Sequence, residues 1–316
     1  MQILPFHAEH LPSAAGLFAR SFKQQRQAVP ALPARLESPA EVEVHLKRML
    51  EKHTGVAAVQ DGELVGYVIW LYIENFRNAR RKAAYCPVLA HAANPVQQDA
   101  IIRALYRCAA AQWAEAGCEV HAVSLLAFDQ AAIRTWFWSG FGLAVVDAVR
   151  LATPLNIELP RDVVVRKAHP ADADMLADLE AEHWQHYLAA PVFMNPTPPS
   201  TASEFVELLG RPGGSGWLAF ASDHPVGYLR LEASSSGASE VVSAATTISI
   251  TGAYVQPQAR GRGVAAALLD AALRDDAARG YTACSVDFES FNPEAARFWM
   301  RHFKPVCYSL LRVPER

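Results

Sequence analysis

The apolar positions of this chain follow two rhythms, and the switches between them predict its elements. Apolar runs stand on either side of a tight polar turn between Val56 and Val68, and the same pattern returns between Trp217 and Leu229. Each reads as two strands of a β-hairpin. Helically spaced residues close on Gly117 ahead of Cys118 to Val123, and again on Gly280 ahead of Tyr281 to Val286. Glycine there suits the left-handed residue that ends a helix. A third pair of landmarks is Asp129, Ala132 and Trp136 against Asn292, Ala295 and Trp299, where Asp and Asn are good N-caps for the helix that follows.

These landmarks recur in register. Gly66 and Gly227 differ by 161 positions, and the other two pairs by 163, which marks duplicated units. Thr153 to Pro160 carries two prolines and no helical period, so the expected organisation is residues 1–153, a linker at 154–161, and residues 162–316. Each half reads as strand, helix, helix, hairpin, strand, helix, strand, helix and closing strand. The fold class expected is α/β (α+β), with a mixed sheet flanked by helices in each half. Ala233 to Ala245 is small and polar and reads as a mobile loop.

Composition narrows the partners. The chain has 316 residues, enough for two cores, a net charge of −3 and no Lys/Arg-rich run, so neither nucleic acid nor an anionic membrane surface is expected to attract it. The five cysteines, Cys86, Cys108, Cys118, Cys284 and Cys307, are scattered without paired spacing, which favours reduced thiols and the cytoplasm. The longest uncharged apolar run, Gly66 to Ile73, is too short to span a bilayer, and no leader is read at Met1. A monomer is sufficient for everything read so far.

The chemistry gathers in the second half. Thr246 to Val255 is a β-branched and aromatic strand; Gln256, Pro257 and then Arg260-Gly261-Arg262-Gly263-Val264-Ala265 follow, and a helix opens at Ala266. Strand, glycine turn and helix form an anion cradle: backbone N–H groups converge, the helix N-terminus adds partial positive charge, and Arg260 and Arg262 bring cations. Gly261, Gly263 and Ala266 also satisfy a dinucleotide fingerprint, with Asp287 placed as a ribose-binding acid. That reading fails on context, since an antiparallel hairpin precedes the strand and Gln256 to Arg260 intervene.

These residues resemble the GNAT superfamily of acyl-CoA-dependent N-acyltransferases. Its cofactor motif, Arg/Gln-x-x-Gly-x-Gly/Ala after a strand ending Val-x-Pro, is matched by Val255-Gln256-Pro257 and Arg260 to Ala265. Its next motif is matched by Asn292, Ala295 and Trp299, with tryptophan at the usual tyrosine and no glycine before Phe303. The resemblance implies two tandem GNAT-like domains, each with a mixed, largely antiparallel sheet. It also implies acetyl-CoA as co-substrate, held at the diphosphate by amides of Gly261, Arg262, Gly263, Val264, Ala265 and Ala266. Ala253, Tyr254 and Val255 would pair with the pantetheine arm, and Asn292 would contact it. The first half keeps Asp129, Ala132, Trp136, Gly140 and Phe141, yet no glycine lies between Tyr85 and Val96, and Pro87 and Pro95 lack N–H groups. One cofactor site is expected, not two.

Acyl transfer to an amine needs a base, oxyanion donors and relief of charge on the thiolate. Asp287 and Glu289 alternate along one strand and share a face, with Asp287 the better base. The resemblance makes the Val255 N–H the oxyanion donor. Trp299 removes the usual acid and leaves Tyr254 and Tyr308 as phenolic candidates, or water. His183 and His186 share a helix face, but no third ligand accompanies them, so no metal is expected. Helices there would line the acceptor pocket. The function expected is acetyl transfer from acetyl-CoA to an amine, small-molecule or peptide, with a CoA-binding regulatory or scaffold protein without turnover as the alternative.

Overall fold

The computed structural model describes residues 1–158, 162–233 and 238–315. In chain order they form β1 (Gln2–Pro5), α1 (Leu11–Ala28), α2 (Pro39–Leu50), β2 (Thr54–Gln60), β3 (Glu63–Ile73), β4 (Ala83–Cys86), β5 (His91–Ala93), α3 (Gln98–Glu115), β6 (Val120–Leu126), α4 (Gln130–Trp138) and β7 (Gly142–Leu151). There follow β8 (Val163–Lys167), α5 (Ala173–Leu188), α6 (Ala202–Gly210), β9 (Ser215–Ala221), β10 (His224–Glu232), β11 (Thr247–Val255), α7 (Val264–Ala278), β12 (Ala283–Glu289), α8 (Pro293–His302) and β13 (Lys304–Arg312). The order of elements repeats as the landmarks predict. Both hairpins close through paired residues of positive φ, Asp61-Gly62 and Ser222-Asp223, the geometry that matches strand twist.

Two compact units result. The first comprises Met1–Asp147 with Ser239–Val241 and the chain from Lys304 onward; the second comprises Ala148–Ala238 and Val242–Phe303. In the first unit the strand order is β1-β2-β3-β4-β6-β13, with β5 also on β3. Only β4 and β6 run parallel among these pairs. The last strand of the chain therefore completes the first unit, Cys307 facing Leu126 and Arg312 facing His121. Around this sheet Trp70, Trp113, Trp136, Tyr106 and Phe141 build an aromatic core.

In the second unit the order is β8-β9-β10-β11-β12, antiparallel except for β11 with β12. Successive side chains of β8 turn to opposite faces: Arg166 reaches Asp172 ahead of α5, and Lys167 reaches Asp275 of α7. Helices α5 and α7 thus cover the two faces. Leu176, Leu179, Phe205, Leu218 and Tyr228 pack under α5 and α6, and Ala267, Leu268, Leu269 and Leu273 are the buried stripe of α7.

The stretch expected to be a mobile loop is in part anchored. Residues 234–237 lie outside the described residues, but Glu240–Val242 forms a short helical turn in which Val241 and Val242 are fully buried. Ser239 N donates to Asp147 Oδ1 at 2.8 Å within the first unit. Two consecutive valines hold this segment by burial, which the surrounding serines and alanines conceal in the sequence. Of the expected linker, 159–161 also lie outside the described residues.

Candidate active site

The site begins with a bulge. Arg230 of β10 stands opposite Gly252 of β11, but its neighbour Leu231 stands opposite Ile250, so Thr251 is the extra residue. A bulge raises local twist and bends its strand. Parallel pairing of β11 with β12 covers only Thr247–Ile250 against Ala283–Val286 and stops there. Past that point the ladder ends, which leaves room for a cleft between Gly252–Val255 and Asp287–Glu289. Gln256 N donates to Val226 O at 2.9 Å on the β10 side. Alternation along the strand then turns the N–H and C=O groups of Ala253 and Val255 away from β10, toward the cleft.

At the end of β11 the chain turns into α7 through Gly261, at φ +74°, and Gly263, at φ +82°, the latter capping the helix. Both conformations favour glycine. A Cβ added at Gly261 would meet nothing within 4 Å, so the space before this turn is open. The two arginines expected to supply cations each take part in a partly exposed ion pair. Arg260 pairs with Glu294 and donates through Nε to Val255 O at 2.8 Å, while Arg262 pairs with Asp162. Beside them the turn presents its backbone N–H groups and the helix N-terminus, both favourable to an anion.

Along the other side of the turn runs α8. Asn292 is buried and its Oδ1 accepts from Ala295 N at 3.3 Å, the N-cap bond the sequence suggests; Asp129 does the same for α4 with Ala132 N at 3.0 Å. Capping commits the Asn292 oxygen and leaves its amide nitrogen for other contacts. Trp299, one helical turn beyond Ala295, is buried against Phe298 and Phe303 and offers no hydroxyl.

On the α5 side is a group of side chains of which the sequence singled out His183 and Tyr254 but not Glu180, Ser200, Tyr228 or Arg230. Glu180 accepts from Tyr228 Oη at 2.8 Å, Arg230 Nη1 at 3.2 Å and Ser200 Oγ at 3.0 Å. His183 Nδ1 lies 3.1 Å from Tyr228 Oη, and the His183 ring stacks on Tyr254 at 5.4 Å and leans on Tyr187 at 4.3 Å. Arg230 also closes the bulge, its Nε donating to Thr251 O at 3.1 Å. Only pairing of α5 with β10 in three dimensions brings Glu180 and Arg230 together. The nearest signal in the sequence was the charged and aromatic face of α5 around His183.

Tyr254 is buried within this group, and burial raises its pKa, with Glu182 adding to the rise. Tyr187 is raised further by burial and by Glu289 and Asp287, which places both β12 carboxylates within electrostatic reach of α5. Asp287 is exposed, yet the protein standing around it raises its carboxyl above the usual range by desolvation. An accessible carboxyl with so much protein about it sits in a recess. Glu289 is half-buried. Tyr308, on β13 opposite Leu125, belongs to the first unit. So does Glu240, which Arg35 holds through its carbonyl at 2.7 Å and its carboxylate.

The first unit fills the equivalent space. Where the second has one long strand and a glycine turn, β4 stops at Cys86 and the buried Val88, Leu89 and Ala90 cross over to β5. His91 Nε2 donates to Ser124 O of β6 at 2.7 Å, with Trp136 edge-on to its ring. Tyr67, the counterpart of Tyr228, donates to Leu89 O at 2.7 Å. The space left among these side chains measures about 40 Å³, room for a water molecule.

Residues 176–303 match the model of the acetyltransferase (GNAT) family. No curated protein matches the chain in sequence. Among solved structures, a GCN5-related N-acetyltransferase from Sphaerobacter thermophilus is similar at TM-score 0.60 and 17% identity, over 99% of this chain and 97% of that one. The GCN5-related glucosamine N-acetyltransferase region of a fungal multi-domain GH3 β-N-acetylglucosaminidase is similar at TM-score 0.56 and 15% identity, over 98% of this chain and 38% of that one. At such identities the likeness is one of fold.

Proposed function

We propose that this chain, whose residues 176–303 match the acetyltransferase (GNAT) family model, moves an acetyl group from acetyl-CoA directly to an amine. The observation that carries the reading is the cleft itself: the β11–β12 ladder ends at Ile250 and Val286, and the open glycine turn lies at the end of the same strand. A long, thin molecule with an anionic end fits such a space. Amides of Gly261 to Ala266 would hold the diphosphate, and Ala253 together with the Val255 N–H would pair with the amide groups of the pantetheine arm, as an added strand does. The Asn292 amide nitrogen and the Ala295 and Trp299 side of α8 would form the other wall.

The bound thioester supplies an activated acyl carbon. Val255 N–H, turned into the cleft, would donate to its carbonyl oxygen as negative charge develops there. Asp287, directly or through a water, would take a proton from the acceptor ammonium, because a free alkylamine is mostly protonated at neutral pH. Glu289 lies one alternation further along the same face and would keep the local field negative. Tyr254 is the phenol on the acyl strand, and its raised pKa keeps it protonated, the form a donor to a leaving thiolate needs.

A second reading, a CoA-binding protein without turnover, is favoured by one feature, the buried Trp299 where a phenol would serve as acid. Following thiol release from acetyl-CoA across a panel of primary amines separates the two. The acetyltransferase reading expects amine-dependent release that Gly263→Val abolishes. Saturable acetyl-CoA binding with no release for any amine would decide for the second.

A further inference from the structure

The buried polar side chains behind the cleft fix the position of one proton. Glu180, ion-paired to Arg230, only accepts, and the single hydroxyl hydrogen of Tyr228 goes to its Oε2 at 2.8 Å. The Tyr228 oxygen then has only lone pairs left for His183 Nδ1, 3.1 Å away, so Nδ1 must carry the hydrogen. A neutral imidazole protonated at Nδ1 bears its free lone pair on Nε2. Burial, with His186, Arg230 and Arg260 acting in the same sense, holds the ring neutral, its pKa down to about 3. Among the described residues no group bonds Nε2, and it is not one of the sealed, partnerless atoms of the interior. It therefore keeps some accessible surface, although the residue as a whole is buried. Tyr254 stacked on one side and Tyr187 packed against the ring fix its plane next to the acyl strand.

We propose that His183 Nε2 accepts an N–H hydrogen from the acceptor amine as a positioning residue, and that Tyr228 and Glu180 hold the ring in the tautomer this requires. The inference rests on the acyl-transfer reading and adds to it the residue that orients the acceptor. An imidazole of such low basicity is a poor sink for an ammonium proton but a good hydrogen-bond acceptor. It orients the nitrogen while Asp287 takes the proton. The nitrogen arrives as an ammonium with three hydrogens. It gives one to Asp287, forms its bond to the acyl carbon as the carbon–sulfur bond breaks, and gives a second to the departing thiolate. The third stays as the amide N–H, held throughout by His183. An N-methylated amine has one hydrogen fewer, so the one held on Nε2 would have to leave to a weak base.

Two measurements test this. Long-range ¹H–¹⁵N spectra of the parent protein, with His183→Phe for assignment, should show His183 Nδ1 protonated and Nε2 bare across neutral pH. The reverse tautomer would overturn the proposal. With the amine that turns over best in the panel and its N-methyl counterpart, the parent should prefer the primary amine. His183→Phe should lower kcat/KM for the primary amine roughly tenfold or more, the range of one lost hydrogen bond at the reacting centre, and erase that preference, with the KM of acetyl-CoA unchanged. Tyr228→Phe, which frees the tautomer, should do the same more weakly. An unchanged amine KM and unchanged preference in His183→Phe would sink the inference while leaving acyl transfer standing, whereas a parent inactive on every amine sinks the acyl-transfer reading itself.

Discussion

At the scale of single residues, burial and charge set what each carboxyl contributes. Asp287 has its pKa raised, so a rate that depends on its ionised form falls as pH drops through a value above the ordinary carboxylate range. Asp287→Asn should remove that acid limb, lower turnover by roughly 10² or more and keep acetyl-CoA affinity; Glu289→Gln should do much less. Equal turnover of both variants and the parent at neutral pH would place the base elsewhere. Asp276 on α7 titrates for a different reason. It is fully buried with Oδ2 unpartnered, and desolvation outweighs the Arg279 guanidinium 3.3 Å from Oδ1, raising the pKa to about 6. A raised folded pKa stabilises below the unfolded value and loses that contribution as pH rises through about 6. Replacing Asp276 with Asn should therefore flatten the decline of stability between about pH 4 and 6, a difference on the order of 3 kcal/mol in chemical denaturation.

The site is an affair of elements more than of residues. The glycine turn works because a strand ends and a helix begins there, and Gly263, at φ +82°, is the N-cap itself. A valine would be strained in that conformation and would project a side chain toward the bound anion, so Gly263→Val should weaken acetyl-CoA binding strongly in a protein that remains folded. Calorimetry on a variant with a parent-like circular dichroism spectrum checks it; unchanged affinity removes the loop assignment. The caps of α4 and α8 are legible locally, since Asp129 and Asn292 each bond the amide three residues ahead. Asp129→Ala should cost about 1 kcal/mol, with no effect on the amine-dependent rate. The bulge at Thr251 is not legible in the same way, because nothing in Ser249 to Gly252 says which of two registers β10 will take. Arg230 decides it by reaching back to Thr251 O while pairing with Glu180.

For the whole molecule, the duplicated order of elements hides an exchange at the end of the chain. β13 pairs with β6, residue by residue from Cys307 to Arg312, and belongs to the first unit. Ending the chain after Phe303 should therefore expose the β6 edge and unfold the first unit, seen as loss of amide protection in β3, β4 and β6, while the β9–β11 meander keeps its own. Equal loss in both would contradict that allegiance. Acetyl-CoA should bind at one site per chain by calorimetry, since the first unit fills the counterpart of the cleft with Val88 to Ala90 and His91. Two equivalent sites would refute this.

What the sequence determined by itself is what short-range physics fixes. Paired turn residues set the hairpins, glycines past the last helical turn set the ends of α3 and α7, Asp and Asn set two caps, and Gly261 and Gly263 set the turn into α7, each within a few positions of its cause. The duplication was equally legible, because it is a comparison of the chain with itself. Tertiary structure alone decided the rest. Burial of Val241 and Val242 turned part of an apparently loose stretch into anchored chain, and only the fold set Arg260 beside Glu294 and Arg262 beside Asp162. The network of Glu180, His183, Ser200, Tyr228 and Arg230 spans a helix, a loop and a strand. Its hydrogen bonds are made between residues as much as 50 positions apart, a separation over which no local pattern carries information.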